Sequence, residues 1–314
     1  MPPPLPTLSD VTAAADRLDG VVRRTPVITI ALDDGRPVTL KLEHLQATGS
    51  FKARGASNAI ALIAEAATRT GGSPPGIVAA SGGNHGQAVA WAATRHGLDA
   101  TVVVPASSPE SKAARVAGYG ATVVRHGAIY DEAEERARQI EADEGRTFVH
   151  AFGDPAVIAG QGTVALEMLE QAPHCDALVI AVGGGGLVAG SGLAAAGRVP
   201  VIGVEPVGAP TLHAALAAGG VPVTVEVDTV TASSLGARRT TAVPARVVAD
   251  TVDSLVQVDD PQMIAARDWL WQSLRIPAEV GAAAGLAAVL AGRVEAAHPC
   301  ILICGANEPW APGG

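Results

Sequence analysis

The sequence contains few aromatic residues, no excess of positive charge and no long apolar run. Aromatic residues make up 3% of its 314 residues, too few for the platforms on which single-stranded nucleic acids stack. The net charge of −9 argues against nucleic acids and anionic membranes as partners. No apolar stretch reaches the roughly 18 residues that a membrane span requires. We therefore expect a protein that binds neither nucleic acid nor membrane.

Cysteine is also scarce. Cys175, Cys300 and Cys304 form no CxxC pair and show no zinc-type spacing, so no disulfide framework is expected. The opening residues, Met1 to Pro6, lack the charged and then apolar pattern of a signal peptide. Both features predict a cytoplasmic location.

What the chain does contain is apolar and glycine-rich. Hydrophobic residues make up 48% of it, charged residues 17%, and there are 36 glycines, enough for a large core and two lobes. Short β-branched runs alternate with alanine-rich helical stretches, which predicts a parallel sheet covered on both faces. The predicted strands are 77–80, 101–104, 121–124, 178–182, 199–204 and 301–304, and residues 219–246 are predicted to be loop-rich.

Three loops follow predicted strands and hold glycine or small polar residues. They are Ser81–Gly86, Gly183–Gly186 and Cys304–Asn307. Ligands of open α/β folds bind at the carboxyl edge of the sheet, where such loops lie. The four glycines precede a predicted helix, so their amides suit a phosphate group, with a ligand-free tight turn as the alternative.

Lysine occurs only at Lys41, Lys52 and Lys112. Lys52 follows Phe51, and partial desolvation would make its amine a usable base or nucleophile; a surface lysine on a helix that begins near Ser50 is the alternative. In the loop that starts at Ser81, exposed amides suit a carboxylate and Asn84 offers an amide side chain. His85 is a base, a ligand or, more simply, a structural histidine.

Together these segments resemble the fold-type II (β-family) pyridoxal-phosphate enzymes, in particular the threonine/serine dehydratase and serine racemase branch. The matching segments are 41–56, 81–87, 183–186, 203–206 and 304–307. The resemblance implies a two-lobed open parallel-sheet α/β fold like that of the tryptophan synthase β chain. It implies a large cofactor-binding domain of residues 1–75 and 153–314, a small inserted domain of residues 76–152, and a homodimer.

The resemblance also implies roles for individual residues. Lys52 would bind pyridoxal 5'-phosphate as a Schiff base and move the α-proton, and Cys304 would face the ring nitrogen. A neutral thiol leaves the ring a weaker electron sink than an aspartate would, which favours prompt β-elimination. The remaining cofactor contacts would come from Phe51, Asn84, Gly183, Gly184, Gly185, Gly186, Leu187 and Glu279, and the amino acid carboxylate would bind at Ser81, Gly82, Gly83, Asn84 and His85.

Two departures from that branch affect the expected activity. Gly82 stands where racemases of the branch carry a serine, so dehydration is favoured over racemisation. Ser233, in segment 229–236, stands where an aspartate of a cation site is expected. Because hard cations need carboxylates, we expect no metal there, although Glu205 and Asp228 are nearby candidates for a divalent cation.

We therefore expect an ammonia-lyase that converts L-threonine or L-serine to a 2-oxo acid and ammonia. The alternatives are dehydration of a modified hydroxy amino acid (hydroxyectoine-derived or 3-hydroxyaspartate), serine racemisation, and β-replacement. A second substrate carboxylate would need a further cation, for which Arg54, Arg238 and Arg239 are candidates. From other classes, a non-catalytic cofactor-binding sensor and a nicotinamide-binding protein remain open.

Overall fold

The computed structural model describes residues 4–308. Ten strands form two sheets. They are β1 (Val27–Ala31), β2 (Pro37–Leu42), β3 (Ile77–Ala80), β4 (Ala100–Val104), β5 (Thr122–Arg125), β6 (Thr147–Phe148), β7 (Ala177–Ala181), β8 (Val201–Pro206), β9 (Ser254–Val258) and β10 (Pro299–Ile303).

Helices cover both sheets. They are α1 (Leu8–Leu18), α2 (Lys52–Arg69), α3 (Asn84–Arg95), α4 (Glu110–Gly118), α5 (Tyr130–Glu144), α6 (Pro155–Gln171), α7 (Gly186–Ala195), α8 (Thr211–Ala217), α9 (Ala232–Leu235), α10 (Ala242–Thr251), α11 (Asp260–Leu274) and α12 (Ala284–Leu290). Among the described residues, none of the helices is both long and apolar enough to span a bilayer.

The larger sheet has the order β1-β2-β10-β7-β8-β9, and only the β1–β2 pair is antiparallel. Every residue of β7, β8 and β10 is buried, as expected for strands covered on both faces. The smaller sheet has the order β5-β4-β3-β6 and is parallel throughout. The predicted α/β class with parallel-sheet cores is confirmed.

Local signals explain where several helices begin. Thr7 and Asp10 form a reciprocal capping box at the start of α1, and Asp259 and Gln262 form another at α11. Asp154 caps α6, which then begins with Pro155. These caps satisfy amides that have no partner within the helix.

The strands of the smaller sheet lie between residues 77 and 148, and both flanking parts of the chain supply the larger sheet. Helix α2 belongs to the first flanking part, yet Ala56, Ala59 and Ile60 pack in one core cluster with β3 and β4. Segment 219–246 is mostly irregular, as predicted, but α9 lies within it and α10 begins at Ala242. The domain boundaries at 75/76 and 152/153 stay a prediction.

Candidate active site

Lys52 begins α2 at the carboxyl edge of the larger sheet. The amide of Phe51 donates to the carbonyl oxygen of Cys304 (3.0 Å), which ties the start of the helix to the end of β10. The Lys52 amine donates to the carbonyl oxygen of Ala151 (2.8 Å). Burial lowers the pKa of Lys52 to about 8, although the nearby Cys304 sulfur acts in the opposite direction. Roughly a tenth of the amine is therefore neutral at pH 7.

Cys304 offers a neutral thiol beside this amine. It follows β10 directly and is buried, and burial, with the charge of Glu279 as a second cause, raises its pKa to about 12. A thiol in this state can donate a weak hydrogen bond, but it does not provide the negative charge that would keep a neighbouring ring nitrogen protonated.

The glycine loop joins β7 to α7. A Cβ at Gly184 would lie 2.3 Å from a ring carbon of Phe152, and one at Gly186 would lie 2.7 Å from the Phe152 carbonyl oxygen. Gly185 has a φ of 95°, a conformation that suits glycine. Only glycine therefore lets this backbone approach residue 152, and the first amides of α7 have no partner within their helix.

A turn at residues 150–153 connects the amine to the glycine loop. The Nδ1 atom of His150 accepts the amides of Phe152 (3.2 Å) and Gly153 (2.9 Å). Burial lowers the pKa of His150 to about 4, so the ring stays neutral and Nδ1 can accept. The turn thus presents the Ala151 carbonyl to Lys52 and the Phe152 ring to Gly184.

Asn84, Glu279 and Asn307 form a hydrogen-bonded group on the other side of Cys304. The Asn84 amide nitrogen donates to both Glu279 carboxylate oxygens (2.9 and 3.1 Å), and the Asn307 side chain donates to Asn84 Oδ1 (2.8 Å). The Asn307 backbone amide also donates to Glu279 (2.7 Å). Burial raises the pKa of Glu279. This group fixes the orientation of the Asn84 side chain.

The loop before α3 brings the predicted carboxylate-binding residues together. The Ser81 hydroxyl accepts the Gly83 amide (3.1 Å). His85 is buried and donates through Nε2 to the Val149 carbonyl (2.9 Å), and burial lowers its pKa to about 3. This contact holds the His85 ring against the segment that follows β6, and the role of His85 in binding substrate stays a prediction. A Cβ at Gly82 would lie 2.6 Å from the Ser108 hydroxyl.

A small cleft opens beside these groups. The sequence prediction included Gly83, Asn84 and Glu279 of its lining. It assigned no binding role to the others, which are Gln87, Lys112, Ser233, Ser234, Asn307 and Glu308. Asn307 had a local signal, because it lies in a loop after a predicted strand. Gln87 lies in segment 81–87, which carries part of the family resemblance, whereas Lys112 lies within α4 and had no such signal.

A buried ionic network anchors α2 behind Lys52. Arg54 donates to both carboxylate oxygens of Glu43 (2.8 and 2.7 Å) and to Glu167 (2.7 Å). Lys41 binds the other oxygen of Glu167 and the Thr25 carbonyl. Arg54 is therefore already paired with two carboxylates. This pairing disfavours its use as a partner for a second substrate carboxylate.

Glu205, which the sequence offered as a ligand for a divalent cation, binds backbone amides of α8. Its carboxylate accepts the amides of Leu212 (2.6 Å) and His213 (2.9 Å) in the first turn of α8. Burial raises its pKa to about 7. The Ser233 hydroxyl donates to Glu308 (2.6 Å).

The sequence and the fold of this chain are similar to those of known enzymes. The family described as pyridoxal-phosphate dependent enzyme matches residues 18–305. The chain is 39% identical to an L-threonine ammonia-lyase of Thermotoga maritima over 290 residues, 90% of this chain and 71% of the relative. It is 35% identical to an L-threo-3-hydroxyaspartate ammonia-lyase of a Pseudomonas species over 91% of this chain and 89% of the relative. The solved serine racemase from Dictyostelium discoideum superposes with a TM-score of 0.87 at 31% identity, covering 97% of this chain and 99% of that one.

Proposed function

Since the chain belongs to the pyridoxal-phosphate-dependent enzyme family, we propose that it is an ammonia-lyase that dehydrates a small L-β-hydroxy amino acid. L-Threonine and L-serine are the proposed substrates, and a 2-oxo acid and ammonia are the products. The observation that carries the proposal is the buried, partly neutral amine of Lys52 beside the neutral thiol of Cys304, at the sheet edge where the glycine loop follows β7.

The donor groups fit the family's cofactor, pyridoxal phosphate. The Lys52 amine has a lowered pKa, and the backbone at Gly184 and Gly186 comes too close to Phe152 to carry side chains. When bound, the cofactor supplies an aldehyde for the substrate amine and a conjugated ring that withdraws electrons from its Cα. The residues proposed to hold it are Phe51, Lys52, Asn84, Gly183, Gly184, Gly185, Gly186, Leu187, Glu279 and Cys304.

Lys52 is the proposed base for the substrate. In the cofactor-loaded enzyme the Lys52 amine would remove the proton from the substrate Cα. With a pKa of about 8, this amine is neutral far more often than an exposed lysine and still basic enough to accept a proton. The β-hydroxyl would leave with one added proton as water, and one water would then be consumed to give the 2-oxo acid and ammonia.

The loop at Ser81–His85 is the proposed site for the substrate carboxylate. Gly83 immediately precedes α3, and the first amides of a helix lack intrahelical partners. The positive end of the helix dipole favours a carboxylate there. The contacts would be mostly to the backbone, so Gly82 and Gly83 can serve despite having no side chain.

The charges in the cleft favour a substrate with a single carboxylate. Lys112 is the cation among the lining residues, and it faces the acidic groups Glu279 and Glu308. A second substrate carboxylate would add a like charge to this site and would compete with Glu279 and Glu308 for Lys112, because Arg54 is paired with Glu43 and Glu167. Arg238 and Arg239 are exposed. We therefore place L-threo-3-hydroxyaspartate below threonine and serine.

Serine racemisation is the second candidate activity. Gly82 has no side-chain proton to deliver to the opposite face of the substrate. The Ser108 hydroxyl nevertheless lies beside Gly82, 2.6 Å from where a Cβ would be, and it is the group that could take over this role. We propose that racemisation is slower than dehydration.

The experiment is to supply the cofactor-loaded protein with L-serine, L-threonine and L-threo-3-hydroxyaspartate and to measure 2-oxo acid release. D-Serine is measured in the same serine reaction. We expect 2-oxo acid from threonine or serine, less from hydroxyaspartate, and D-serine formation slower than pyruvate formation. Preferred turnover of hydroxyaspartate would contradict the charge argument, and D-serine forming faster than pyruvate would favour the racemase.

We also propose that the chain acts as a homodimer in the cytoplasm, and that its two lobes are divided at residues 75/76 and 152/153. The three cysteines are free, as in a reducing compartment. The smaller sheet lies between two chain segments that build the larger one, which supports the division. Sedimentation of the purified protein tests the dimer.

A further inference from the structure

A cluster of histidine and cysteine side chains lies at the amino edge of the larger sheet, the edge opposite Lys52. His174 and Cys175 precede β7, and His298 precedes β10. Cys300 is the second residue of β10. The residues proposed to hold the cofactor follow the carboxyl ends of these same strands. The cluster therefore belongs to a different part of the molecule and has no role in the reaction described above.

The fold holds the two segments of this cluster together. The Asp176 carboxylate accepts the amides of Ala297 (2.7 Å) and His298 (2.9 Å). The Asp176 amide donates in return to the His298 carbonyl (3.1 Å). These three bonds join the residues before β7 to those before β10. The positions of His174, Cys175 and His298 relative to one another are thus set before any ligand binds.

The donor atoms of these residues converge. One ring nitrogen of His174, one of His298 and the Cys175 sulfur all lie within 4.8 Å of one another. The two rings are 4.6 Å apart between centroids and tilted by 55°. In a tetrahedral zinc site, donor atoms are about 3.3–3.7 Å apart, as follows from the usual Zn–N and Zn–S bond lengths. His174 is exposed, so its side chain is free to make this adjustment of about 1 Å.

The donors are of the kind that zinc prefers. Two imidazoles and a thiolate suit a borderline metal ion, whereas magnesium and calcium need oxygen ligands. The hydroxyl of Thr39 contacts Nε2 of His298 (3.0 Å), an outer contact of the type that orients metal-binding histidines. The Cys175 sulfur also hydrogen-bonds with Cys300.

We propose that His174, Cys175 and His298 bind one zinc ion, with water at the fourth position. Cys300 supports the site as a hydrogen-bond partner of the Cys175 sulfur. The ion would join the segment that follows α6 to the segment that precedes β10. Because only the folded chain brings these residues together, zinc binding stabilises the fold.

The test uses the cofactor-loaded protein, freed of metal with a chelator and kept reduced. Zn²⁺ alone is titrated by calorimetry, and bound zinc is counted after dialysis. We expect about one ion per chain, and X-ray absorption at the zinc edge should show one sulfur neighbour at about 2.3 Å and nitrogen neighbours at about 2.0–2.1 Å. Zinc should also raise the midpoint of thermal unfolding.

Variants separate this site from other zinc-binding groups. His174→Ala and Cys175→Ser should weaken binding by more than about 100-fold, since even outer-shell changes cost 10–100-fold. His96→Ala, which changes an exposed histidine elsewhere, should leave binding unchanged, and Cys300→Ser should retain the ion. Because His174 is exposed, its variant decides the question even if Cys175→Ser does not fold. Equal binding by wild type and His174→Ala, or a zinc ion without a sulfur neighbour, would overturn the proposal.

Discussion

Replacing Gly184 by alanine should weaken cofactor binding, because the glycine loop has no space for a methyl group. The new Cβ would lie 2.3 to 2.5 Å from three ring carbons of Phe152. That ring packs edge-on against His150, with centroids 4.6 Å apart, and His150 is itself bound to two backbone amides. The ring is thus restrained, and the loop must move. Overpacking of this kind costs about 1–3 kcal/mol.

If all of this free energy is lost from the binding of the cofactor phosphate by the loop, the affinity for pyridoxal phosphate falls roughly 5- to 150-fold. Fluorescence titration of the cofactor-free protein measures this change, and urea unfolding measures any loss of stability. Gly118→Ala is the matched control, because a Cβ there meets no atom within 4 Å.

A double-mutant cycle identifies the cause of that loss. In a Phe152→Ala background the clash is absent, so Gly184→Ala should cost much less than in the wild type. Unchanged cofactor affinity and stability in Gly184→Ala would refute the reasoning. An equal loss in both backgrounds would show that Phe152 is not the obstacle.

Three further predictions concern the amine, the substrate loop and the buried network. Cofactor uptake by the cofactor-free protein requires a neutral Lys52 amine, so the uptake rate should rise with pH and reach half its maximum near pH 8. At pH 7 uptake should be roughly 300-fold faster than it would be if the pKa of Lys52 were 10.5. An uptake rate that still rises steeply above pH 9 would contradict this. The double variant Gly82→Ser/Ser108→Ala should form D-serine faster than the wild type, as measured by chiral chromatography. The single variant Gly82→Ser should show a smaller increase in this rate, because the Ser108 hydroxyl occupies the space beside residue 82. Equal rates in the two variants would show that Ser108 does not crowd this position. Arg54→Met should lower the free energy of unfolding by about 3–5 kcal/mol, because it leaves the buried Glu43 carboxylate without its cation. A loss below about 1 kcal/mol in urea unfolding would show that the Arg54–Glu43 ion pair contributes little to stability.

The sequence was sufficient to predict much of the fold, and the residues of the site stay a prediction. Buried parallel strands are apolar over their whole length, and the glycines that follow them mark the loops at the carboxyl edge. The strand at Ile77–Ala80 was predicted with the bounds that the structure shows. Other elements were missed because their signal is weak; α10 begins with an Ala-Val-Pro run inside a segment without periodicity.

Contacts between distant parts of the chain were not predictable. Arg54 contacts Glu167 across 113 positions of sequence, and neither residue has a neighbour that marks the pair. Ser108 fills the space beside Gly82 only because two neighbouring strands, β3 and β4, carry their loops to the same edge. The His174 and His298 cluster was missed for the same reason, since its spacing matches no zinc motif.

The most direct test of the central claim compares the cofactor-loaded wild type with a Lys52→Ala variant. Both receive L-threonine and L-serine, and 2-oxo acid and ammonia are measured together. We expect equal amounts of the two products from the wild type and none from the variant, whose unfolding midpoint should stay close to that of the wild type. Turnover by the variant, or a wild type that binds the cofactor and converts neither amino acid, would contradict it.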